Sequence, residues 1–290
     1  MKLGMIGLGV MGRPMALNLK KAGYDLCVSP HRANMNDYFA SFGIPVVSKK
    51  EIGESCDVVL LMLPDSKQVE AVMLEEDRLA EIMKPGSCLI DMSSIDPSVS
   101  RKVNAQLAKR GIDMLDAPVS GGEPGAIEGT LSFMVGGKQE VFDKYRPILL
   151  AMGSSAVLVG EIGAGNTAKL CNQIIVAGNL MALAEGITLA QQSGLDPSVV
   201  IEALTGGLAD SAVMHAKAQM MIDKRYDPGF RIDLHIKDLN NALHAANDTG
   251  TPALMTAQVK EIMQWLHSHD LGNKDHSAIK AFYDTLAEKK

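Results

Sequence analysis

A doubly wound, mostly parallel α/β sheet followed by an all-helical domain is the fold class this sequence predicts, with a long helix joining the two. Three observations carry it. A glycine-rich turn, Gly7-Leu8-Gly9-Val10-Met11-Gly12, sits between a short apolar run and a helical pattern near the N-terminus. Short β-rich runs then alternate with helical stretches through the first half of the chain. After Gly160 the strand formers thin out, and residues 166–193 contain no proline. At 290 residues the chain is also longer than one hydrophobic core usually supports, so two domains are expected, 1–163 and 164–290.

The elements follow in order. Residues 3–6 form a buried-strand run, and a helix over 14–22 is closed by Gly23. A second strand covers 26–29. Strands are predicted at 58–63 and 88–92, with a helix over 67–75 after the first. A helix over 98–110 stops at Gly111 before a strand at 114–116, and 132–135 and 156–159 read as further strands. The helix from 166 to about 193 would extend about 40 Å, a length suited to running between two domains. Helical patterns at 197–204, 211–222, 234–247 and 252–267 complete the chain without a clear strand among them. With no repeat, low-complexity tract or flexible linker, the two domains should be packed rather than tethered.

Composition narrows the function classes. A net charge of −6 leaves no basic footprint for nucleic acid or an anionic membrane, and 4% aromatics weakens base stacking. No stretch reaches the ~20 uninterrupted apolar residues of a membrane span, and the N-terminal apolar run is too short for a signal peptide. A cytoplasmic location is expected. Cys27, Cys56, Cys88 and Cys171 form no CxxC pair, and each lies in an apolar run, which predicts four buried free thiols. The histidines form no HExxH. His267 and His269 fall near a helix end, where positive charge suits the last carbonyls, so no metal site is expected.

The glycine turn fits GxGxxG in the strand-to-helix setting that the dinucleotide mechanism requires, the Rossmann arrangement. A plain tight turn would need similar glycines but not both flanking elements. Gly7 permits the turn, Gly9 lets backbone approach a pyrophosphate, and Gly12 lets the helix pack on the strand. The helix N-terminus then faces the negative charge. A carboxylate about 20 residues on would bind the ribose of NAD, but the chain has Ser29-Pro30-His31-Arg32 and no carboxylate until Asp37. His31 and Arg32 suit a 2′-phosphate, so NADP(H) is favoured. NAD(H) stays open if Arg32 is simply solvated.

The run Met5-Ile6-Gly7-Leu8-Gly9-Val10-Met11-Gly12-Arg13-Pro14-Met15-Ala16-Leu17-Asn18-Leu19 resembles the N-terminal signature of the 3-hydroxyisobutyrate dehydrogenase, or β-hydroxyacid dehydrogenase, family. Asp116-Ala117-Pro118-Val119-Ser120-Gly121-Gly122, residues 163–173 and Lys237-Asp238-Leu239 agree with it, in the family's order over nearly the whole chain. The resemblance implies cofactor contacts from the glycine turn, Leu63, Pro64 and Ser94, a substrate carboxylate at Ser120, Gly121 and Gly122, and Lys237 reaching the nicotinamide and substrate. It implies Lys169 as the catalytic group. Ordinary strand termination would equally explain Leu63, Pro64 and Ser94, and Lys237 could instead pair with Asp233 or Asp238.

Lys169 suits that role chemically. As hydride reaches a carbonyl carbon, an ammonium can stabilise the charge on oxygen and donate the proton. A solvated helix lysine is the alternative. Asn172 and Gln173, three and four residues on, can share its helical face and orient amine or substrate. The family commonly has Asn where this chain has Gln173, which leaves the role of that amide open. The implied activity is NAD(P)H-dependent reduction of a small carboxylate-bearing aldehyde, foremost tartronate semialdehyde to D-glycerate. Another short semialdehyde or hydroxyacid pair, 3-hydroxyisobutyrate or succinic semialdehyde, is the alternative. A non-catalytic nucleotide sensor would not need Lys169. The long helix needs cover along its length, so a homodimer or homotetramer is expected.

Overall fold

The computed structural model describes residues 1–30 and 35–287. It divides into two compact units, Met1–Lys169 and Leu170–Lys290.

The first unit is a sheet flanked by helices. β1 (Lys2–Ile6) leads through the glycine turn into α1 (Gly12–Lys21), and β2 (Asp25–Ser29) pairs parallel with β1. α2 (Met35–Ser41) and α3 (Lys49–Ser55) follow. α3 opens on a capping box in which Ser48 and Glu51 satisfy each other's backbone N–H. β3 (Val58–Leu61) returns to the far side of β1, and its four residues are all buried, as a strand covered on both faces requires. α4 (Ser66–Glu70) and α5 (Leu79–Ile82) lead to β4 (Cys88–Asp91), and α6 (Pro97–Ala108) leads to β5 (Asp113–Asp116). β6 (Val119–Ser120), α7 (Gly122–Glu128), β7 (Leu131–Gly136), α8 (Gln139–Leu150) and β8 (Gly153–Gly160) complete the sheet.

The strand order is β2-β1-β3-β4-β5-β7-β6, with β8 paired to β7. β1 to β5 run parallel, and β7 lies antiparallel to β5 and β6. The predicted doubly wound α/β class is therefore present. Two apolar clusters pack the two faces of the sheet, one around Leu3, Met5, Leu60 and Ile90, the other around Ile6, Val59, Leu61 and Leu89. The alternation follows the strand period of two.

The second unit is helical. α9 (Ala164–Gln192) begins in the first unit and continues through the second, followed by α10 (Pro197–Leu204), α11 (Ala212–Ile222), α12 (Ile232–Thr249), α13 (Leu254–Leu266) and α14 (Ile279–Ala287). By length and hydropathy α9 is the one described helix that could cross a membrane. Its residues Ala177, Leu180, Ala184 and Ile187 are instead fully buried with Met221, Leu239 and Val259, which is how a core helix is used.

Several local expectations change. The helix predicted over 67–75 is α4 followed by a π-helical turn, Ala71–Glu75, in which the Glu76 N–H donates to the Ala71 carbonyl. The helices α2, α3, α5, α7, α8 and α14 and the short strand β6 are not among the expected elements; in α8, Pro147 interrupts the pattern. Cys27, Cys56 and Cys88 are buried, but Cys171 is exposed, because it faces away from the buried stripe of α9. His269 stacks on Trp265 and bonds its carbonyl, and His267 bonds Asp233, so both are occupied at the end of α13.

Candidate active site

The parallel strands end in register. Ile6 pairs with Leu61, Leu61 with Asp91, and Asp91 with Asp116. The loops that follow them therefore emerge along one edge of the sheet: the glycine turn, Leu63-Pro64, Ser93-Ser94, and the segment leading to Ser120-Gly121-Gly122. β1 is also where the chain order reverses, with β2 on one side and β3 on the other. Ligands of open α/β sheets collect at that crevice.

The three glycines of the turn are required for different reasons. A Cβ on Gly7, whose φ is +94°, would stand 2.3 Å from the Met62 carbonyl oxygen. A Cβ on Gly12 would stand 1.9 Å from the Gly7 carbonyl oxygen, which is why α1 can pack so closely on the end of β1. Gly9 has no protein atom within 4 Å of a Cβ position. Its missing side chain serves no contact inside the protein, and it opens a cradle at the N-terminus of α1. That terminus has no side-chain cap and no acidic residue in its first turn, so its positive pole is left for an anion. Leu8 and Met11 are half-buried, Val10 is exposed on the rim, and these residues fit the pyrophosphate of a dinucleotide. His31 and Arg32 lie outside the described residues.

Ser120 and Ser94 are half-buried, Leu63 is half-buried and Pro64 is exposed. Gly121 and Gly122 take φ values of +134° and +62°, a turn that side chains would strain, and α7 begins there without a side-chain cap.

Behind this edge lies a buried polar chain that sequence reasoning missed. The Leu63 N–H donates to Ser93 Oγ (2.9 Å), and the Ser93 N–H donates to Asp91 Oδ1 (3.0 Å). Asp116 receives the N–H groups of Gly163 and Asn166, both at 2.8 Å, and so caps the start of α9. Asn166 in turn accepts the Ile95 N–H at Oδ1 (3.0 Å) and donates from Nδ2 to Ser100 Oγ (3.1 Å). The helix comes this close because Gly165 has no Cβ; one would stand 2.4 Å from the Asp116 carbonyl oxygen. Burial pushes the Asp91 carboxyl up to about 7 against the opposing Ser93 bonds, and the Asp116 carboxyl up to about 6 against its two backbone donors. The only outward sign in the sequence was that both aspartates end apolar strands.

Along α9 the buried stripe runs through Asn166, Lys169, Gln173, Ala177 and Leu180, three or four residues apart, with Leu170 beside Lys169. Asn166, Lys169 and Gln173 are its polar members, and the remainder is apolar. Lys169 is 8% exposed. It stands one turn after the residue that Asp116 and Ile95 hold.

Within the second unit, Gln173 and Lys237 meet at Asp238. Gln173 Nε2 donates to Asp238 Oδ2 (2.5 Å), Asn172 Nδ2 donates to Gln173 Oε1 (2.9 Å), and Lys237 Nζ lies 3.0 Å from Asp238 Oδ1. Lys237 thus makes the ion pair its neighbourhood allowed, and the carboxylate, 2% exposed, organises the cluster. His235 Nε2 lies 3.4 Å from the Gln173 carbonyl oxygen, and His235 Nδ1 lies 3.1 Å from His276 Nδ1. A carbonyl only accepts, so with both rings neutral His235 accepts at Nδ1 and His276 donates.

Comparisons with known proteins show which families and structures the chain resembles. Residues 2–160 match the NAD-binding domain of 6-phosphogluconate dehydrogenase, and residues 163–283 match the NAD-binding domain of NADP-dependent 3-hydroxyisobutyrate dehydrogenase. Over 290 residues the chain is 40% identical to 2-hydroxy-3-oxopropionate reductase of Escherichia coli, covering 100% of this chain and 99% of that protein. It is 36% identical to 2-(hydroxymethyl)glutarate dehydrogenase of Eubacterium barkeri, covering 98% and 95%. Among solved structures, Mycobacterium tuberculosis 3-hydroxyisobutyrate dehydrogenase with L-serine superposes with a TM-score of 0.89 at 31% identity, covering 97% of this chain and 98% of that one.

Proposed function

The chain belongs to the 3-hydroxyisobutyrate dehydrogenase family of NAD(P)-dependent oxidoreductases, and from that premise we propose that it reduces tartronate semialdehyde to D-glycerate. The observation that carries the substrate is the 40% identity, over 100% of this chain and 99% of the relative, to a reductase named for that compound. Relatives named for other hydroxyacids make a different short semialdehyde the second reading.

In this reading residues 1–163 hold the cofactor through the glycine turn, Leu63, Pro64 and Ser94, and residues 164–290 complete the substrate site. NADP(H) is the preferred donor, because no carboxylate follows Ser29 before Asp37 and Arg32 can pair with a 2′-phosphate. When bound, the reduced nicotinamide supplies the hydride to the aldehyde carbon. Ser120 and the backbone N–H groups of Gly121 and Gly122 bind the substrate carboxylate. Lys169 holds the carbonyl oxygen and gives it a proton, which balances the hydride and yields the alcohol. Asn172 and Gln173 orient the substrate, and Lys237 borders it with its charge steadied by Asp238. The enzyme works in the cytoplasm, where thiols stay reduced. It works as a homo-oligomer, which would cover Leu189 and Val199, each more than half exposed on α9 and α10.

The test is NADH and NADPH oxidation against a panel of short aldehyde acids. Tartronate semialdehyde should give the highest kcat/KM, with NADPH preferred. Lys169→Ala should lower kcat by about 10²–10⁴ while the cofactor still binds. Full activity in that variant would remove Lys169 from the mechanism, and no turnover of any panel member would remove the activity itself.

A further inference from the structure

We propose that Asn166 is a positioning residue for Lys169: its side chain latches the first turn of α9 to the loop after β4, so that the proton donor and the Ser94 loop are held as one piece. The inference deepens the proposed reductase reading and rests on it. Asn166 is 1% exposed, so its amide must find partners inside the protein. It finds them on the segment that follows Ser94. Oδ1 takes the N–H of Ile95, the next residue, at 3.0 Å, and Nδ2 reaches Ser100 Oγ at 3.1 Å. Its backbone N–H is held at the same time by Asp116 Oδ2 at 2.8 Å. One residue thus joins the end of β5, the loop after β4, α6 and the helix that carries Lys169.

The geometry explains why an amide stands here. The site asks for an acceptor toward Ile95 and a donor toward Ser100 within one short side chain, which an amide supplies without a charge. Gly165 lets the helix lie close to the end of β5, since a Cβ there would stand 2.4 Å from the Asp116 carbonyl oxygen. The loop is tied a second time through Ser93, which receives the Leu63 N–H and gives its own N–H to Asp91. Lys169 follows Asn166 at i+3, so both lie on the same buried stripe of α9. A shift of the latch therefore moves the ammonium directly.

The experiment compares the unmodified enzyme with Asn166→Ala and Asn166→Asp. A neutral, protonated Asn166→Asp carboxyl keeps an acceptor for the Ile95 N–H and an O–H donor for Ser100 Oγ. Active sites are counted by stoichiometric NADPH binding, and the rate of NADPH oxidation is measured in a single turnover with tartronate semialdehyde. Hydrogen exchange of the 92–101 segment is followed by mass spectrometry. In Asn166→Ala the single-turnover rate per site should fall on the order of 10–100-fold, with NADPH affinity within about threefold, and exchange at Ile95 should speed up. Asn166→Asp should recover most of the rate and the protection. A residue that only stabilised the fold would lower the number of sites and leave the rate at each one unchanged. That result, or unaltered exchange at Ile95, overturns the latch. Absence of turnover in the unmodified enzyme would instead remove the reductase reading and the positioning role together.

Discussion

Asp91 and Asp116 face each other in register at the ends of two neighbouring parallel strands, both fully buried, and the second alone has two backbone donors. Asp91 Oδ2 has no hydrogen-bond partner among the described residues. Burial thus holds Asp91 largely protonated below about pH 7. A carboxyl raised in the folded state adds its stability fully below the unfolded value near 3.8 and loses it as pH rises toward 7. Asp91→Asn can still accept from Ser93, and it should remove that loss. Its melting temperature relative to the unmodified protein should climb between pH 4 and 7.5, equivalent to about 2–4 kcal/mol at the top of the window. Parallel calorimetric curves across that window would show that Asp91 ionises normally.

His276 should act with the opposite sign. Burial, then the neighbouring His235, pushes its pKa down to about 3, with Asp275 opposing and Lys217 adding to the fall. A base depressed in the fold gives stability above its unfolded value near 6.5 that is lost as pH falls toward 3. His276→Asn keeps a donor toward His235 without the titration. Its unfolding midpoint in urea should vary less between pH 6.5 and 4 than that of the unmodified protein.

The glycines of the turn separate folding from binding. Gly9→Ala should keep its melting temperature within about 1 °C and weaken NADPH binding at least about tenfold, because the added methyl enters the cradle and touches no protein atom. Gly12→Ala should lower the melting temperature by several degrees, since its methyl meets the Gly7 carbonyl. Fluorescence titration with thermal scans checks both. Equal stability loss in the two variants would contradict the assignment.

Gln173→Leu should strip a buried donor from Asp238 and release Asn172. Leaving the carboxylate short of a partner costs about 1–3 kcal/mol, and the KM for the aldehyde should rise about tenfold. Steady-state kinetics at saturating NADPH reads the effect; an unchanged KM would leave Gln173 a purely structural link.

One thiol in four should react quickly with an aromatic disulfide reagent in the native protein. Cys171 is exposed, whereas Cys27, Cys56 and Cys88 are buried. Cys171→Ser should abolish the fast phase, and two fast thiols would contradict the burial of the others.

What could be read from the sequence was whatever repeats with a period or breaks one. Gly7, Gly9 and Gly12 stood out because glycine interrupts a strand-to-helix pattern, and the parallel strands stood out as short apolar runs. Lys169 was legible through its neighbours in the family resemblance, since a lysine in a helix is otherwise unmarked. The hydrogen bonds that Asp91, Asp116 and Asn166 make were not. Their partners lie as much as 71 residues away, as for Asn166 and Ile95, and local patterning carries no trace of such pairs. Cys171 departs from its apolar neighbourhood, because the helical period turns it outward. Asp238 was seen only as a partner for Lys237; that it also holds Gln173 required α9 and α12 to be packed.

The cap on α9 also sets an order in which the chain can be made. Asp116 is translated 47 residues before the Gly163 N–H that it accepts, and 50 before that of Asn166. A ribosome that has released the strands through Gly160 has a complete sheet with an unsatisfied acid at its edge. Gene fragments meant to yield an autonomous nucleotide-binding module should therefore end after Lys169 rather than after the last strand. A graft of this module onto another helical partner should carry the first turn of α9 along with it.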